Sequence, residues 1–161
     1  MIWYGYPENE RLIRMKFSTR VEYGMLALTD IALYSEKGSS VSAPDIAERE
    51  GISQKYLEQI LTQLRQAGLI HAQKGLRGGY ALARGAETIR VSDILNALDN
   101  SILESREPVQ NGDRSLRAAV NTRLWEKLSD TLAAFAENKT LLGLMQECRD
   151  RMTEEWDFYS I

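Results

Sequence analysis

The side chains with the most to offer chemically lie in one stretch, Ser53 to Arg84. Gln54, Lys55, Tyr56, Glu58 and Gln59 place hydrogen-bonding groups of several kinds within two turns. Amides, a cation and a carboxylate at that density suit the donor and acceptor pattern of base edges in a DNA major groove. A plain solvated helix face would carry the same residues. Lys74-Gly75-Leu76-Arg77-Gly78-Gly79 follows, with three glycines and two cations in six residues. A loop of this kind can lie along a phosphate backbone or enter a minor groove. It could also cradle a nucleotide phosphate, but it lacks the lysine–serine/threonine pair of a P-loop and opens no helix.

Charge agrees with nucleic acid locally and not globally. The chain of 161 residues has a net charge of −3. From Met15 to Arg84 there are nine Lys/Arg against seven Asp/Glu, and from Gly85 to Ile161 nine against fourteen. Within Ser53 to Arg84 the count is five basic to one acidic. A local basic surface matters more to DNA than the total.

Other chemistry is poorly served. There is one histidine, His71, and one cysteine, Cys148. A single cysteine makes no internal disulfide and no four-cysteine zinc site. No nucleophile motif or metal-ligand spacing is present, so no catalytic residue, metal or cofactor is expected. No apolar run of about 18 residues spans a membrane, and no secretory leader stands at the N-terminus. The expected location is the cytoplasm.

These groups need elements to hold them. Residues 1–14 hold Trp3, Tyr4, Tyr6 and Pro7 without periodicity. They read as a disordered leader ahead of a natural start at Met15, or as an arm that touches DNA. Ser18 or Thr19 then caps a helix with Val21, Met25, Leu28 and Ala32 on its buried face, ending near Gly38. Ser42 caps a short helix with Pro44 in its first turn, stopped by Gly51. Ser53 caps a third, striped by Leu57, Ile60, Leu61 and Leu64 and ended by Gly68. The second and third helices have helix-turn-helix spacing. Leu69–Ala72 and Tyr80–Ala83 read as two strands around the glycine loop, a hairpin in the position of a wing.

Met15-Lys16-Phe17-Ser18-Thr19-Arg20, Tyr23-Gly24, Ser53-Gln54-Lys55-Tyr56-Leu57-Glu58-Gln59 and Gly75-Leu76-Arg77-Gly78-Gly79-Tyr80 resemble, as an ordered set, the Rrf2 family of bacterial winged-helix regulators. The resemblance runs over nearly the whole chain from Met15. It implies a mostly α fold with a small β-hairpin: a winged helix-turn-helix domain plus a long dimerisation helix. It implies that Tyr56, Glu58 and Gln59 occupy recognition-helix positions and that Lys74 and Arg77 lie in the wing. Ser18 and Thr19 would meet the DNA backbone at the start of the first helix. A carboxylate such as Glu58 repels phosphate but accepts from cytosine N4, adding discrimination rather than affinity.

The second half reads as assembly. Ser92 caps a short helix through Leu98, and Asn111-Gly112 marks a break. Leu116, Val120, Leu124, Leu128 and Leu132 recur every four residues, continued by Phe135, over about five turns of amphipathic helix. That helix either closes the core of its own domain or, as the resemblance implies, crosses to a second subunit. Thr140 caps a final helix. The expected division is 1–14 leader, 15–84 winged domain, 85–112 connecting helix and loop, 113–151 dimerisation and C-terminal helices, and 152–161 tail.

Many members of the family hold an iron–sulfur cluster through three cysteines in the stretch that is Asp99 to Asp113 here. That stretch contains none, and thiolates are what hold such clusters. The chain therefore resembles the cluster-free, cysteine-metabolism branch of the family, whose aromatic tail also ends in isoleucine. The resemblance implies a partner, cysteine synthase, receiving Phe158, Tyr159 and Ile161; a tail packed on its own dimer is the rival. The expected function is a repressor binding a palindromic operator on double-stranded DNA as a homodimer and controlling cysteine or sulfur metabolism. The alternative is a winged-helix protein-interaction module acting through its tail.

Overall fold

The structure is a computed structural model. It describes residues 16–35, 38–75, 78–104, 112 and 114–158, the last five without their side chains. Helix α1 spans Thr19–Tyr34, α2 Ala43–Glu50 and α3 Gln54–Gln66. Strands β1 (Ile70–Gln73) and β2 (Gly79–Leu82) form the hairpin. Helix α4 (Val91–Leu98) precedes α5 (Leu116–Val120), a π-helical turn (Asn121–Trp125), α6 (Glu126–Asn138) and α7 (Leu141–Phe158). The mostly α architecture with one hairpin is as expected.

Local chemistry sets the boundaries. The Ser18 hydroxyl accepts from Val21 N at 3.4 Å, and Ser42 accepts from Asp45 N at 3.2 Å. Helix α1 stops at Tyr34, ahead of Gly38, with Ser35 N bonded to Ile31 O. Gly51 ends α2 in the left-handed region at φ 64. Gly68, at φ 70, closes α3: Gly68 N donates to Arg65 O and Leu69 N to Leu64 O, both 3.0 Å. That pair of bonds is the Schellman arrangement, and it satisfies carbonyls the helix end would leave open.

Three details depart from expectation. Ser53 holds the N-cap position of α3, but its hydroxyl makes no capping bond. Ser92 does not cap α4; it is buried in the first turn, Arg90 holds the cap position, and the Asp93 carboxylate accepts the Arg90 backbone N–H at 3.0 Å. Met25 is half-buried, while Ala27, Leu28 and Ile31 are sealed in.

One core joins these elements. Leu28 and Ile31 of α1, Ile46 of α2, Leu57, Ile60, Leu61 and Leu64 of α3, and Ile94 and Leu98 of α4 are almost fully buried together. Ala136 of α6 and Leu141 and Met145 of α7 belong to the same cluster. Segment 89–91 is stitched to 139–141 by Val91 N to Lys139 O (2.9 Å) and Leu141 N to Ile89 O (2.8 Å). The long helical arm is therefore anchored at its C-terminal end. Gly24 is required where α1 meets α4, since a β-carbon there would overlap the buried Leu98 side chain.

The hairpin pairs Ile70 with Leu82, His71 with Ala81, Ala72 with Tyr80 and Gln73 with Gly79, so β1 starts one residue later than its apolar pattern suggests. A third segment joins it: Val41 exchanges both backbone bonds with Tyr80, at 2.9 and 2.8 Å. This close approach accounts for Gly79, and the turn of the hairpin accounts for Gly78. A β-carbon on Gly79 would collide with the Val41 carbonyl, and one on Gly78 would lie 2.8 Å from Gln73 O. Gly79→Ala is expected to destabilise the fold by about 1–3 kcal/mol through this overlap. Urea denaturation checks it; an unchanged midpoint would show that the chain relaxes freely there.

Candidate nucleic-acid interface

The turn Gly51–Ser53 delivers α3 with its apolar stripe on the core and its first turns outward. Gln54, Lys55, Glu58 and Gln59 are exposed. Gln54 Nε2 donates to Glu58 Oε1 at 3.1 Å across one turn. The carboxylate is thereby held in place, with acceptor capacity left over for an incoming donor. Ser53 is exposed beside them, its hydroxyl unused by the cap.

Tyr56 is different. It is half-buried and meets Tyr23 of α1 edge to face, ring centroids 6.1 Å apart at 69°. Its ring serves packing between α1 and α3, so only its edge is left to meet a ligand. Ser18 and Thr19 are exposed at the start of α1. Lys74 is exposed at the exit of β1, and Arg77 lies outside the described residues. The described members of the expected set thus stand at the start of α1, on α3 and on the hairpin.

Sequence reasoning missed several contributors. Arg20, exposed on the first turn of α1, lines one cleft with Tyr56, Gln59, Ile60, Thr62 and Gln63. Asp30, with 1% of its side chain exposed, accepts two bonds from Arg49, at 2.8 Å from Nε and 2.9 Å from Nη2. The Arg49 guanidinium also lies 4.5 Å over the Tyr34 ring. Burial, then a hydrogen bond shared with Asp30, pushes the Glu50 carboxyl above its ordinary value. This bolt fixes α2 on α1 and so fixes the turn from which α3 starts. The wing is tied at its exit by Arg84, which bonds Thr88 O at 2.6 Å and Asp93 Oδ2 at 2.8 Å.

The arm projects its apolar stripe outward. Leu116 is 80% exposed, Val120 40%, Leu124 45%, Leu128 53% and Phe135 61%. Leu132 is half-buried. The π-helical turn explains how a strict four-residue step stays on one side. In an unbroken α-helix each step of four advances about 40°, so Leu116 and Leu132 would diverge by roughly 160°. One extra residue, accommodated by the wide turn, sets the second half back by about 100°. Leu116, Val120, Leu128, Leu132 and Phe135 then fall within about 60° of one another. The foot of the stripe, Leu132 and Phe135, opens on an apolar cleft of about 500 Å³ against Phe17, Val21, Met25 and Leu95.

No helix among the described residues is long and apolar enough to cross a membrane. Tyr159 and Ile161 lie outside the described residues, as does the side chain of Phe158.

Comparison with known proteins fits this geometry. The profile of the Rrf2 family, described as an iron-dependent transcriptional regulator, matches residues 17–147. The chain is 39% identical to the HTH-type transcriptional regulator IscR of Cereibacter sphaeroides over 136 residues, 82% of this chain and 88% of that one. It is 39% identical to IscR of Pectobacterium atrosepticum, over 79% of this chain and 77% of that one. Among solved structures, CymR of B. subtilis, the global cysteine regulator, superposes with TM-score 0.71 at 27% identity, covering 83% of this chain and 98% of that one. IscR of T. potens follows with TM-score 0.68 at 34% identity, covering 83% and 88%. The expected docking of Ile161 into cysteine synthase draws no support from these relatives.

The family's iron raises a question of donors. The chain has a single cysteine, Cys148, placed in α7 and half-buried. Burial, then the Glu147 carboxylate, pushes its thiol above the ordinary value, away from the thiolate that binds metal. Among the described residues no three of His, Cys, Asp or Glu converge on a metal position. One thiol does not fit a cluster held by three. The relatives are regulators and not enzymes, and this chain belongs to the Rrf2 family of transcriptional regulators.

Proposed function

We propose that the chain is a repressor that binds an inverted-repeat operator as a homodimer, with α3 in the major groove and the hairpin on the adjoining backbone. The observation that carries this reading is the exposed polar face of α3, with Glu58 held by Gln54. Gln54, Lys55, Glu58 and Gln59 read base edges; Ser18, Thr19, Ser53 and Lys74 meet phosphates, joined by Arg77. Tyr56 supports the recognition helix against Tyr23 and offers its edge to the backbone. The exposed stripe from Leu116 to Leu132 is the subunit interface, and two-fold symmetry then doubles every DNA contact.

Control of cysteine or sulfur metabolism is part of the proposal. The likeness to the global cysteine regulator and the lack of thiols for a cluster support it. Regulation then comes from a small molecule or a protein partner rather than from bound iron.

The test is a gel shift on the promoter fragment upstream of the protein's own gene, across a salt series. Binding is expected to weaken steeply between 50 and 200 mM salt, as it does for proteins making many phosphate contacts. Lys74→Ala should reduce affinity for promoter and mixed-sequence DNA alike. Glu58→Gln should leave affinity for mixed sequence unchanged or higher while narrowing the preference for promoter DNA, by about 1–3 kcal/mol per base pair misread. Salt-insensitive binding, or no preference for any promoter, would contradict the reading.

A further inference from the structure

Arg20 has no role in the reading above, yet it stands where a charge matters. The cleft of about 390 Å³ that it lines runs from the first turn of α1 to the middle of α3. Its other polar walls are Tyr56, Gln59, Thr62 and Gln63, with Ile60 as its apolar part. Among the described residues lining it, Arg20 is the only charged one, so the cleft favours an anion. The Thr62 hydroxyl is committed to Glu58 O at 2.8 Å, which leaves the Tyr56 hydroxyl, the amides of Gln59 and Gln63 and the guanidinium as its donors. Gln59 is shared with the base-reading face, so a ligand here lies against the same duplex.

One carboxylate bears on the cation from outside the cleft. Asp99 is held low chiefly by its bonds to Ser101, with a smaller contribution from Arg20. Both Asp99 bonds to Ser101, 2.6 Å from Oγ and 3.1 Å from N, fall on Oδ1. The carboxylate is thus bound locally and does not clamp the guanidinium by a direct ion pair.

We infer that Arg20, with Gln59 and Gln63, forms a phosphate clamp that grips the DNA backbone beside the recognition helix, independently of the wing. A planar guanidinium suits this task, since its fork takes two phosphate oxygens at once. The inference rests on the DNA-binding reading and adds a contact to it. The clamp positions α3 and carries no sequence information of its own.

The experiment measures binding of the full chain to a mixed-sequence duplex and to its own promoter fragment as salt is varied, for wild type, Arg20→Ala and Arg20→Lys. Circular dichroism and thermal melting of each variant are recorded alongside; Arg20 is exposed, so all three should fold alike. Arg20→Ala should flatten the dependence of log affinity on log salt by about 0.9 per protomer, the contribution of one phosphate contact. Arg20→Lys should restore the slope. The ratio of promoter to mixed-sequence affinity should not change. An unchanged slope in Arg20→Ala, with the wild type binding normally, overturns the clamp and leaves the DNA reading standing. A fall in the ratio with the slope intact overturns it in favour of base contact. A wild type that binds neither duplex overturns both.

Discussion

Replacing Leu124 and Leu128 together by glutamate is expected to convert the protein to a folded monomer and to weaken operator binding by about 10²-fold or more, the range lost when two linked binding modules act alone. Both side chains are already 45% and 53% exposed in the protomer, so the substitutions remove little of its own core. In a dimer they would set like charges face to face in an apolar seam, where burying unpaired carboxylates is prohibitive. Analytical ultracentrifugation reads the mass, and circular dichroism shows that the helices persist. Helix phase gives a sharper test. Deleting Thr122 should turn the π-helical turn into ordinary α-helix and keep Leu116 and Val120 in phase with Leu128, because eleven α-helical steps advance by about 20°, as twelve do across the wide turn. Dimerisation should survive the deletion, whereas inserting one alanine after Thr122 should rotate the two halves by about 100° and weaken dimerisation although no apolar residue is lost. An insertion variant that dimerises like the wild type would show that the stripe needs no common face.

Arg49→Ala is expected to destabilise the protein by about 3 kcal/mol, the lower end for breaking a buried ion pair, since Arg49 is itself partly exposed. The damage comes from Asp30, left charged and buried with neither of its two Arg49 bonds. In a chain of this length the melting temperature should fall by roughly 10 °C. The double replacement Asp30→Leu with Arg49→Met removes charge and partner together and should be far milder, because well-packed apolar groups replace buried ion pairs at little net loss. DNA affinity should follow the same order, since the pair sets α2 and hence the start of α3. If Arg49→Ala melts like the wild type, or the double variant is worse than the single one, the bolt is not what locates the recognition helix.

Local rules carried much of this in the sequence. The apolar stripe of α3, the caps at Ser18, Ser42 and Thr140, and the stops at Gly51 and Gly68 are short-range features, and each settles where a helix begins or ends. Gly78-Gly79 is readable as a loop but not for its reasons, which are the turn back against Gln73 for Gly78 and, for Gly79, contact with Val41, nearly forty residues away. The Asp30–Arg49 pair joins two helices nineteen residues apart in sequence, and no spacing rule pairs them. Ser92 looked like a cap because it has a cap's chemistry; Asp93 serves the helix instead, by reaching back to the Arg90 N–H. Arg20 was passed over because its meaning depends on the cleft shared with Gln59 and Gln63. The four-residue repeat of the arm was legible, but the π-helical turn that keeps it on one face was not. An ordinary helix pattern carries no mark of the inserted residue.

The most direct test of the central claim is a genome-wide binding footprint of the full chain. A dimeric reader with α3 in the major groove should enrich promoter sites that share one inverted repeat, with half-sites spaced by about 10 base pairs or a multiple of it. Footprints scattered without a common inverted repeat, or none above background, would contradict it.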